Sequence, residues 1–206
     1  PTMSALRGKR LSAAFFARDA RVVAQALLGK VLAYDDPETG LVAARIVETE
    51  AYLGEIDPAS HAFGGPTHRS RVMFGPPGRL YVYFTYGMHW CPNVVCDDPG
   101  VGSAVLLRAA APLVGIEVMR KRRPAARADR GLCSGPARLS MAMGLDGRHN
   151  GVSLLRGPLK ILDADAPIAT DIVNSPRIGS SRGGEHNWRY YLKGDPHLSR
   201  RDPRPN

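Results

Sequence analysis

Two carboxylates stand inside the most strand-like segment of the chain, residues 45–53 (RIVETEAYL). Because side chains alternate along a strand, Glu48, Glu50 and Tyr52 are predicted to share one face with Ile46. A charged side chain in a folded sheet must be paired or solvated, since burying an isolated charge costs a great deal of free energy. The segment therefore predicts a half-buried strand whose charges are either paired or used in chemistry.

The residue pattern alone favours the structural explanation, an ion pair between a carboxylate and a cation such as Arg45 or Arg108. The chemical alternative is a carboxylate that deprotonates a water molecule for attack on an electrophilic carbon. Such a group can also stabilise an oxocarbenium-like transition state. The pattern by itself leaves these alternatives open.

Tyrosines form an unusual concentration in the sequence. Four of the seven tyrosines of the chain are Tyr52, Tyr81, Tyr83 and Tyr86. Packing against a sheet explains aromatic residues in strands, and a stacking surface for a planar ligand such as a nucleobase is the alternative. Tyr86 differs, because it precedes Gly87 at a predicted turn, where packing does not account for an aromatic side chain. An aromatic residue at a hairpin tip suits a wedge that occupies space in a DNA stack.

The charge balance favours a polyanionic partner. The chain has 28 Lys and Arg against 19 Asp and Glu, which gives a formal net charge of +9 and a pI of about 9.9. Nucleic acid is the first candidate and an anionic membrane the second. The cations predicted to contact phosphates are Arg69, Arg71, Arg79, Arg120 and Arg138.

Several other classes lack a sequence signal. No apolar run is long enough to span a bilayer and no signal peptide is recognisable, so no membrane association is expected. The three cysteines lack zinc-site spacing and the histidines lack partners at metal-ligand spacing, so we expect a reduced intracellular protein without a metal. The glycine-rich segments match no dinucleotide-binding or phosphate-loop motif, and no cofactor is expected.

The order of the predicted elements indicates the fold class. Strands are predicted at residues 30–34, 41–53, 80–85, 103–108, 151–163 and 188–193, the first two as a hairpin. Because strands and helices are mixed without a regular βαβ rhythm, we expect an α+β fold with a largely antiparallel sheet. The long segment 54–78 is predicted to be a functional or disordered loop.

Three helices are predicted from residues that commonly begin or end helices. These signals are Asp19 and Gly29 around residues 20–28, Pro112 before a helix that reaches residue 123, and Ser134 and Gly144 around a short third helix. Residues 1–206 are expected to form one domain, with flexible ends at residues 1–10 and 200–206.

Several motifs together make the chain resemble the alkyladenine (3-methyladenine) DNA glycosylase family. They are ETEAYLG at 48–54, His61, PGRLYVY at 77–83, YGM at 86–88, Asn93, VLLRA at 105–109, LCSGP at 132–136 and RYYLKG at 189–194. They occur in the order and with the spacing of the family and cover nearly the whole chain. The stretch containing His89, Trp90 and Pro92 departs from the family pattern.

The resemblance implies a role for each matching residue. It implies that Glu50 is the general base for the attacking water and that Arg108 holds the water and the catalytic region. The residues that it implies for the base pocket are Tyr52, His61, Tyr83 and Asn93, the last at the pocket floor, where it disfavours a guanine amino group.

The resemblance also implies a single-domain fold with a curved antiparallel sheet, flanking helices and a protruding hairpin that enters the DNA minor groove. On that hairpin, Tyr86 corresponds to the side chain that fills the gap left in the duplex, and Met88 is expected to intercalate beside it.

The implied function is base-excision repair. The enzyme flips alkylated or deaminated purines out of double-stranded DNA, hydrolyses the N-glycosidic bond and leaves an abasic site. No lysine or proline nucleophile is placed to form a Schiff base, so a monofunctional hydrolase without a lyase step is expected. The resemblance implies a monomer, in the cytoplasm with the nucleoid if bacterial, or in the nucleus if eukaryotic.

Two other functions compete with this one. A nucleic-acid-binding module without catalysis explains the cations and tyrosines but not Glu50 near phosphates. A hydrolase of free nucleosides or RNA explains Glu50 but not the exposed Tyr86 or the excess of cations.

Overall fold

In the computed structural model, which describes residues 6–164, 167, 171–179 and 182–200, the chain folds around a curved antiparallel sheet. The described strands are β1 (Val31–Asp36), β2 (Gly40–Leu53), β3 (Leu80–Thr85), β4 (His89–Cys96), β5 (Ser103–Val114), β6 (Leu159–Leu162), β7 (Ile172–Ser175) and β8 (Arg189–Leu192). Their order is β3-β4-β5-β2-β1-β6, and β8 pairs with both β2 and β7. The predicted α+β fold with a largely antiparallel sheet is confirmed.

Helices cover one face of this sheet. The described α-helices are α1 (Ala13–Phe16), α2 (Ala20–Ala26), α3 (Ile116–Arg122) and α4 (Pro136–Met143). Their buried side chains, among them Val23, Met119 and Leu139, join the main hydrophobic core. Because alternate residues of a strand point to opposite faces, Leu80 belongs to this core while Tyr81 packs in a smaller cluster on the other face.

A bulge in β2 decides which face carries the two carboxylates. The register between β2 and β5 shifts between Ile46 and Glu48 and again between Glu48 and Thr49. The β2 residues in the main core are Val42, Ala44 and Ile46 before the bulge, and Ala51 and Leu53 after it. The prediction that Ile46 shares a face with Glu48 and Glu50 is therefore wrong, because the extra residue of a bulge reverses the alternation. The bulge turns both carboxylates away from the helices.

The predicted strands differ in how far they extend. The β1–β2 hairpin and the strand at residues 80–85 are confirmed. Strands β6 and β8 fill only part of the segments predicted at 151–163 and 188–193. Strands β4 and β7 have no counterpart among the strands predicted from the residue pattern. Strand β4 contains Pro92, and a proline argues against a strand when only the local pattern is considered.

The prediction that Pro112 opens a helix is wrong. Pro112 lies in β5 opposite Ala44, and the pairing of β5 with β4 extends only to Leu106. This end of β5 therefore has β2 as its strand partner within the described chain, and a proline without an N–H group is tolerated there. Helix α3 begins after Gly115, whose φ of 72° lies in the left-handed region.

The predicted cap at Ser134 is also wrong. Helix α4 begins at Pro136 after Gly135 and has no side-chain cap, and a proline in the first turn needs no acceptor for an N–H group. The Ser134 hydroxyl instead accepts a hydrogen bond from Arg138 Nη1 at 3.1 Å. The predicted end of this helix at Gly144, with φ of 74°, is confirmed.

The first turn of helix α2 agrees with the prediction, but the end of the helix does not. The Asp19 side chain accepts a hydrogen bond from the Arg21 N–H at 2.8 Å, which confirms the predicted cap. The helix ends at Ala26, before the predicted residue 28, and Gly29 follows with φ of 84°.

The segment 54–78 is built from short turns and packs against the sheet. It contains two 3₁₀ turns, Gly54–Ile56 and Arg71–Phe74, and its Ala62 and Met73 are buried beside Tyr81. The segment is thus an ordered loop with its own apolar contacts.

The ends of the chain lie partly outside the described residues, which exclude 1–5 and 201–206. Arg10, in the part predicted to be flexible, forms a bridge with Leu162 and donates to the Gly157 carbonyl at 2.7 Å. Within the described chain, no helix is both long enough and apolar enough to cross a bilayer.

Gly115→Ala is expected to destabilise the protein by about 3 kcal/mol, because it combines a left-handed backbone with a steric clash. A β-carbon at Gly115 would lie 2.6 Å from the Leu41 carbonyl oxygen. The matched control is Gly151→Ala, where φ is 85° and no heavy atom lies within 4 Å, and which should cost about 1 kcal/mol. Urea unfolding measures both, and equal losses would contradict the clash.

Candidate active site

A cavity of about 500 Å³ opens on the face of the sheet that carries Glu50. Six of the predicted site residues line it, namely Tyr52, His61, Tyr83, Tyr86, Asn93 and Arg108. Residues from β2, β3, β4, β5, the 54–78 loop and the segment after β7 meet there. The structure therefore brings together in space residues that are far apart in the sequence.

Glu50 lies directly behind the wall of this cavity. Its side chain is completely buried. Oε2 accepts a hydrogen bond from the Tyr52 hydroxyl at 2.8 Å and a long one from Arg108 Nη1 at 3.4 Å, and Oε1 accepts from the Ile178 N–H at 2.7 Å. All three donor residues line the cavity. The carboxylate is thus one side chain away from the open space and is held by three donors.

Tyr52 is a hydrogen-bond donor to Glu50. Burial raises the pKa of the Tyr52 phenol well above its usual value, and the neighbouring Glu50 carboxylate raises it further. The phenol therefore keeps its proton across the physiological range and donates its hydrogen bond to the carboxylate.

Arg108 connects Glu50 to Glu48, the other carboxylate of β2. Its Nε lies 3.3 Å from Glu48 Oε1 and its Nη1 lies 3.4 Å from Glu50 Oε2. Burial lowers the pKa of Arg108, but the charges of Glu50 and Glu48 outweigh this and raise it above its ordinary value. The ion pair that the sequence favoured for the β2 carboxylates is therefore present, with Arg108 as the cation shared by both.

Aromatic side chains form one wall of the cavity. The His61 and Tyr83 rings meet edge to face with centroids 4.5 Å apart, and His61 Nδ1 lies 3.1 Å from the Tyr81 hydroxyl. Burial, and then the charge of Arg69, lower the pKa of His61 to about 4, and burial raises the pKa of Tyr83. The rings are therefore uncharged near neutral pH and present π faces and edges.

Asn93 lines the same cavity and is held in place by the backbone. Its Nδ2 donates to the carbonyl oxygens of Tyr81 at 3.2 Å and Cys91 at 3.3 Å, and the residue is buried. The amide orientation is thus set by the backbone of the β3–β4 hairpin. Cys91, Cys96 and Cys133 are all free thiols, so the pairing of Cys91 with Cys96 that the sequence left open does not occur.

The tip of the β3–β4 hairpin projects an aromatic side chain into solvent. Tyr86 has φ of 51° and Gly87 of 66°, and the Met88 N–H donates to the Thr85 carbonyl at 3.3 Å. Two successive residues in the left-handed region form the turn that matches the twist of a hairpin. Tyr86 is 87% exposed and Met88 67% exposed. Met88 does not line the cavity beside Glu50 but a second one, beside Trp90 and Met141.

The five predicted phosphate contacts lie in different settings. Arg69 donates to the Phe84 carbonyl and lies over the Tyr83 ring, 5.3 Å from its centroid. The guanidinium groups of Arg79 and Arg138 donate to backbone or hydroxyl oxygens, and Arg71 is exposed. Arg120 forms salt bridges with Glu117 and Asp129, which offset its charge. Arg69 thus lies against the aromatic wall of the cavity.

A buried ion pair that the sequence does not reveal holds the cavity together. Both terminal nitrogens of Arg177 donate to Asp57, at 2.5 and 2.8 Å, and Nη1 also donates to the Ala51 carbonyl at 2.9 Å. The guanidinium stacks over the Tyr52 ring, 4.6 Å from its centroid. Burial raises the pKa of Asp57, but the hydrogen bonds and charge of Arg177 outweigh this and lower it. Because Asp57 and Arg177 are 120 positions apart, no local pattern links them.

Comparisons with known proteins point to one family. A family model described as methylpurine-DNA glycosylase (MPG) matches residues 14–196. A protein of Burkholderia lata named "Putative 3-methyladenine DNA glycosylase" is 50% identical over 195 residues, which cover 93% of this chain and 92% of that protein. Proteins with the same name from Chlorobaculum tepidum and Streptomyces avermitilis are 44% and 47% identical, over 96% and 92% of this chain and 94% and 90% of their own lengths.

Arg177→Met is expected to destabilise the protein by about 3–5 kcal/mol, because it leaves the Asp57 carboxylate buried without its partner. Both side chains of the pair are 0% exposed. Chemical denaturation measures the loss.

Two further variants control this measurement. Arg177→Met combined with Asp57→Asn should recover part of the loss, since no charge is then left unpaired. Arg21→Met removes the partner of Asp19 in a pair that is 47% and 36% exposed, and should cost less than about 1 kcal/mol. Similar losses for Arg177→Met and Arg21→Met would show that burial does not matter at this pair.

Proposed function

Since the chain belongs to the methylpurine-DNA glycosylase family, we propose that it excises alkylated or deaminated purines from double-stranded DNA by a water molecule that Glu50 activates. As a member of this family it is a DNA-repair hydrolase of N-glycosyl bonds. We further propose that the enzyme flips the damaged base out of the duplex and that no lyase step follows hydrolysis.

The proposal rests mainly on the position of Glu50. It is a buried carboxylate directly behind an aromatic cavity, and hydrogen bonds from Tyr52, Arg108 and Ile178 keep it oriented. In the proposed reaction, Glu50 takes a proton from water while the water oxygen bonds to the anomeric carbon of the nucleotide. The C–N bond breaks, its electron pair leaves with the purine, and an abasic site remains. The negative charge of Glu50 also favours the positive charge that develops on the sugar.

The cavity has the chemistry to hold an extruded purine. Uncharged rings of His61 and Tyr83 offer faces and edges to a planar base, with Tyr52 at the side of Glu50. Methylation at a ring nitrogen gives a cationic base, which is attracted to aromatic faces and leaves readily. We propose that Asn93, fixed at the floor, disfavours the exocyclic amino group of a normal guanine.

The hairpin tip is suited to replace the extruded base. An enzyme that acts on a base must take it out of the stack, which leaves a gap in the duplex. Tyr86 projects from a tight turn and is exposed, as an inserted wedge must be. Met88 is exposed beside it, and we propose that both enter the minor groove. Arg69 and the other four predicted cations are proposed to contact phosphates.

The reaction needs no covalent intermediate with the protein. No lysine lines the cavity among the described residues, so a Schiff base and the strand cleavage that follows it are not proposed. We propose that the chain acts as a monomer, as one glycosylase domain without a cofactor.

Glu50→Gln is expected to slow base release by roughly 10²- to 10⁴-fold, because the amide cannot accept a proton from water. Lesion binding should be retained, since glutamine preserves the size of the side chain. Release of free bases from methylated duplex DNA, measured in chelator, tests this, with the exposed Glu55→Gln as control.

Each competing function predicts a different result in the same assay. A binding module would release no base even as the wild-type protein. A hydrolase of free nucleosides or RNA would act on those substrates and not on the duplex. Undiminished release by Glu50→Gln would remove Glu50 from the mechanism.

Tyr86→Ala is expected to weaken binding to lesion-containing duplex roughly tenfold, because a stacking contact is lost. Binding to undamaged duplex should change much less. Folding stability should also change little, since Tyr86 is 87% exposed. Fluorescence anisotropy with both duplexes measures the effect, and Val22→Ala on the exposed face of α2 is the control. Equal losses for the two duplexes would argue against a wedge.

A further inference from the structure

Glu48 is a buried carboxylate with no part in the mechanism above. It is completely buried, and it does not line the cavity. Its Oε1 accepts hydrogen bonds from Arg189 Nε at 2.7 Å and the Ser199 hydroxyl at 2.8 Å, and its Oε2 accepts from the Ser199 N–H at 2.7 Å. This number of hydrogen-bond partners compensates the cost of burying the Glu48 carboxylate and fixes its position.

Arg108 is the link between Glu48 and the reacting centre. Its Nε lies 3.3 Å from Glu48, and its Nη1 lies 3.4 Å from Glu50. Because a guanidinium is planar and rigid, a contact that fixes Nε also fixes the direction in which Nη1 points. The Ser199 hydroxyl accepts hydrogen bonds from Nε and Nη2 at 3.4 Å and itself donates to Glu48. Glu48, directly and through Ser199, therefore sets the position from which Arg108 meets Glu50 and the cavity.

The charges of this cluster are balanced. Two carboxylates, Glu48 and Glu50, are matched by two buried guanidinium groups, Arg108 and Arg189. Glu50 holds only one of the contacts of Arg108, and that contact is long. An Arg108 that paired with Glu50 alone would stabilise the ionised form of Glu50 more strongly and make it a poorer proton acceptor.

We propose that Glu48 is a positioning residue for base excision, which holds Arg108 between two carboxylates so that Glu50 remains basic enough to take a proton from water. This inference rests on the proposed function of the same site. Glu48 acts through Arg108 and does not touch the substrate.

The other groups that face Glu50 stay in place when Glu48 is changed. They are the Tyr52 hydroxyl from β2, the Ile178 N–H from the segment after β7, the Tyr83 phenol from β3, and Arg177, which lies over the Tyr52 ring. Arg189, opposite Glu50 in β8, keeps its charge but loses its carboxylate partner. Removal of the Glu48 charge thus takes one negative neighbour from Glu50 and leaves Arg108 without its second carboxylate. Both changes favour ionised Glu50 down to lower pH.

The test is the pH dependence of base release by Glu48→Gln in the full chain, under single-turnover conditions. The substrate is methylated duplex DNA whose cationic purines need no further proton to leave. We expect the acidic limb of the rate profile to move to lower pH by roughly half a unit or more. The plateau rate should fall roughly tenfold, because Arg108 is no longer held. DNA binding should be unchanged.

Two variants separate this role from a merely structural one. Ser199→Ala removes a neutral donor from Glu48 and a neutral acceptor that lies 3.4 Å from both Nε and Nη2 of Arg108. It keeps every charge of the cluster, so its acidic limb should stay at the wild-type position. If Glu48→Gln folds poorly because Arg189 loses its partner, Glu48→Gln combined with Arg189→Gln removes both charges. This double variant should move the limb in the same direction.

An acidic limb that stays at the wild-type position in a folded Glu48→Gln or double variant would overturn the inference. A limb that moves equally in Ser199→Ala would overturn it as well, since charge would then not be the cause. Wild-type protein that releases no base at any pH would overturn the proposed function itself. The two failures are therefore distinguishable.

Discussion

The shared ion pair of Arg108 allows one strand to bury two carboxylates on the same face. Glu48 and Glu50 both point away from the helices because of the bulge in β2, and a single guanidinium contacts both. Without that cation, and without Arg189 beside Glu48, the central strand would carry charges that the interior does not tolerate. The chemistry of the site thus depends on how the fold neutralises its own central strand.

The cavity is assembled from distant segments that two buried charge clusters hold together. The Asp57–Arg177 pair joins the 54–78 loop to the segment that brings the Ile178 N–H to Glu50. The Glu48 cluster joins β2 to β8 and to Ser199. Because polar contacts are directional, they fix orientation in a way that apolar packing does not. The position of Glu50 is consequently fixed by contacts that precede it and follow it along the chain.

Those features of the fold and the site that depend on local residue patterns or on family motifs can be predicted from the sequence. The β1–β2 hairpin, the Asp19 cap and the α+β class all follow from alternation and helix-end signals. The bulge in β2 does not, because one inserted residue leaves no compositional mark, and so the face of Ile46 was predicted wrongly. Pairing across long sequence distances, such as Asp57 with Arg177, is equally invisible. The family motifs identified six residues that line one cavity, but they do not reveal which contacts hold those residues there.

The exposed hairpin tip has a consequence for the behaviour of the protein in solution. Tyr86 and Met88 expose apolar surface that would favour association between copies of the chain. A net charge of +9 opposes such association by mutual repulsion and at the same time attracts DNA. Salt screens both effects together. The same ionic conditions that release the protein from DNA therefore also remove its protection against self-association.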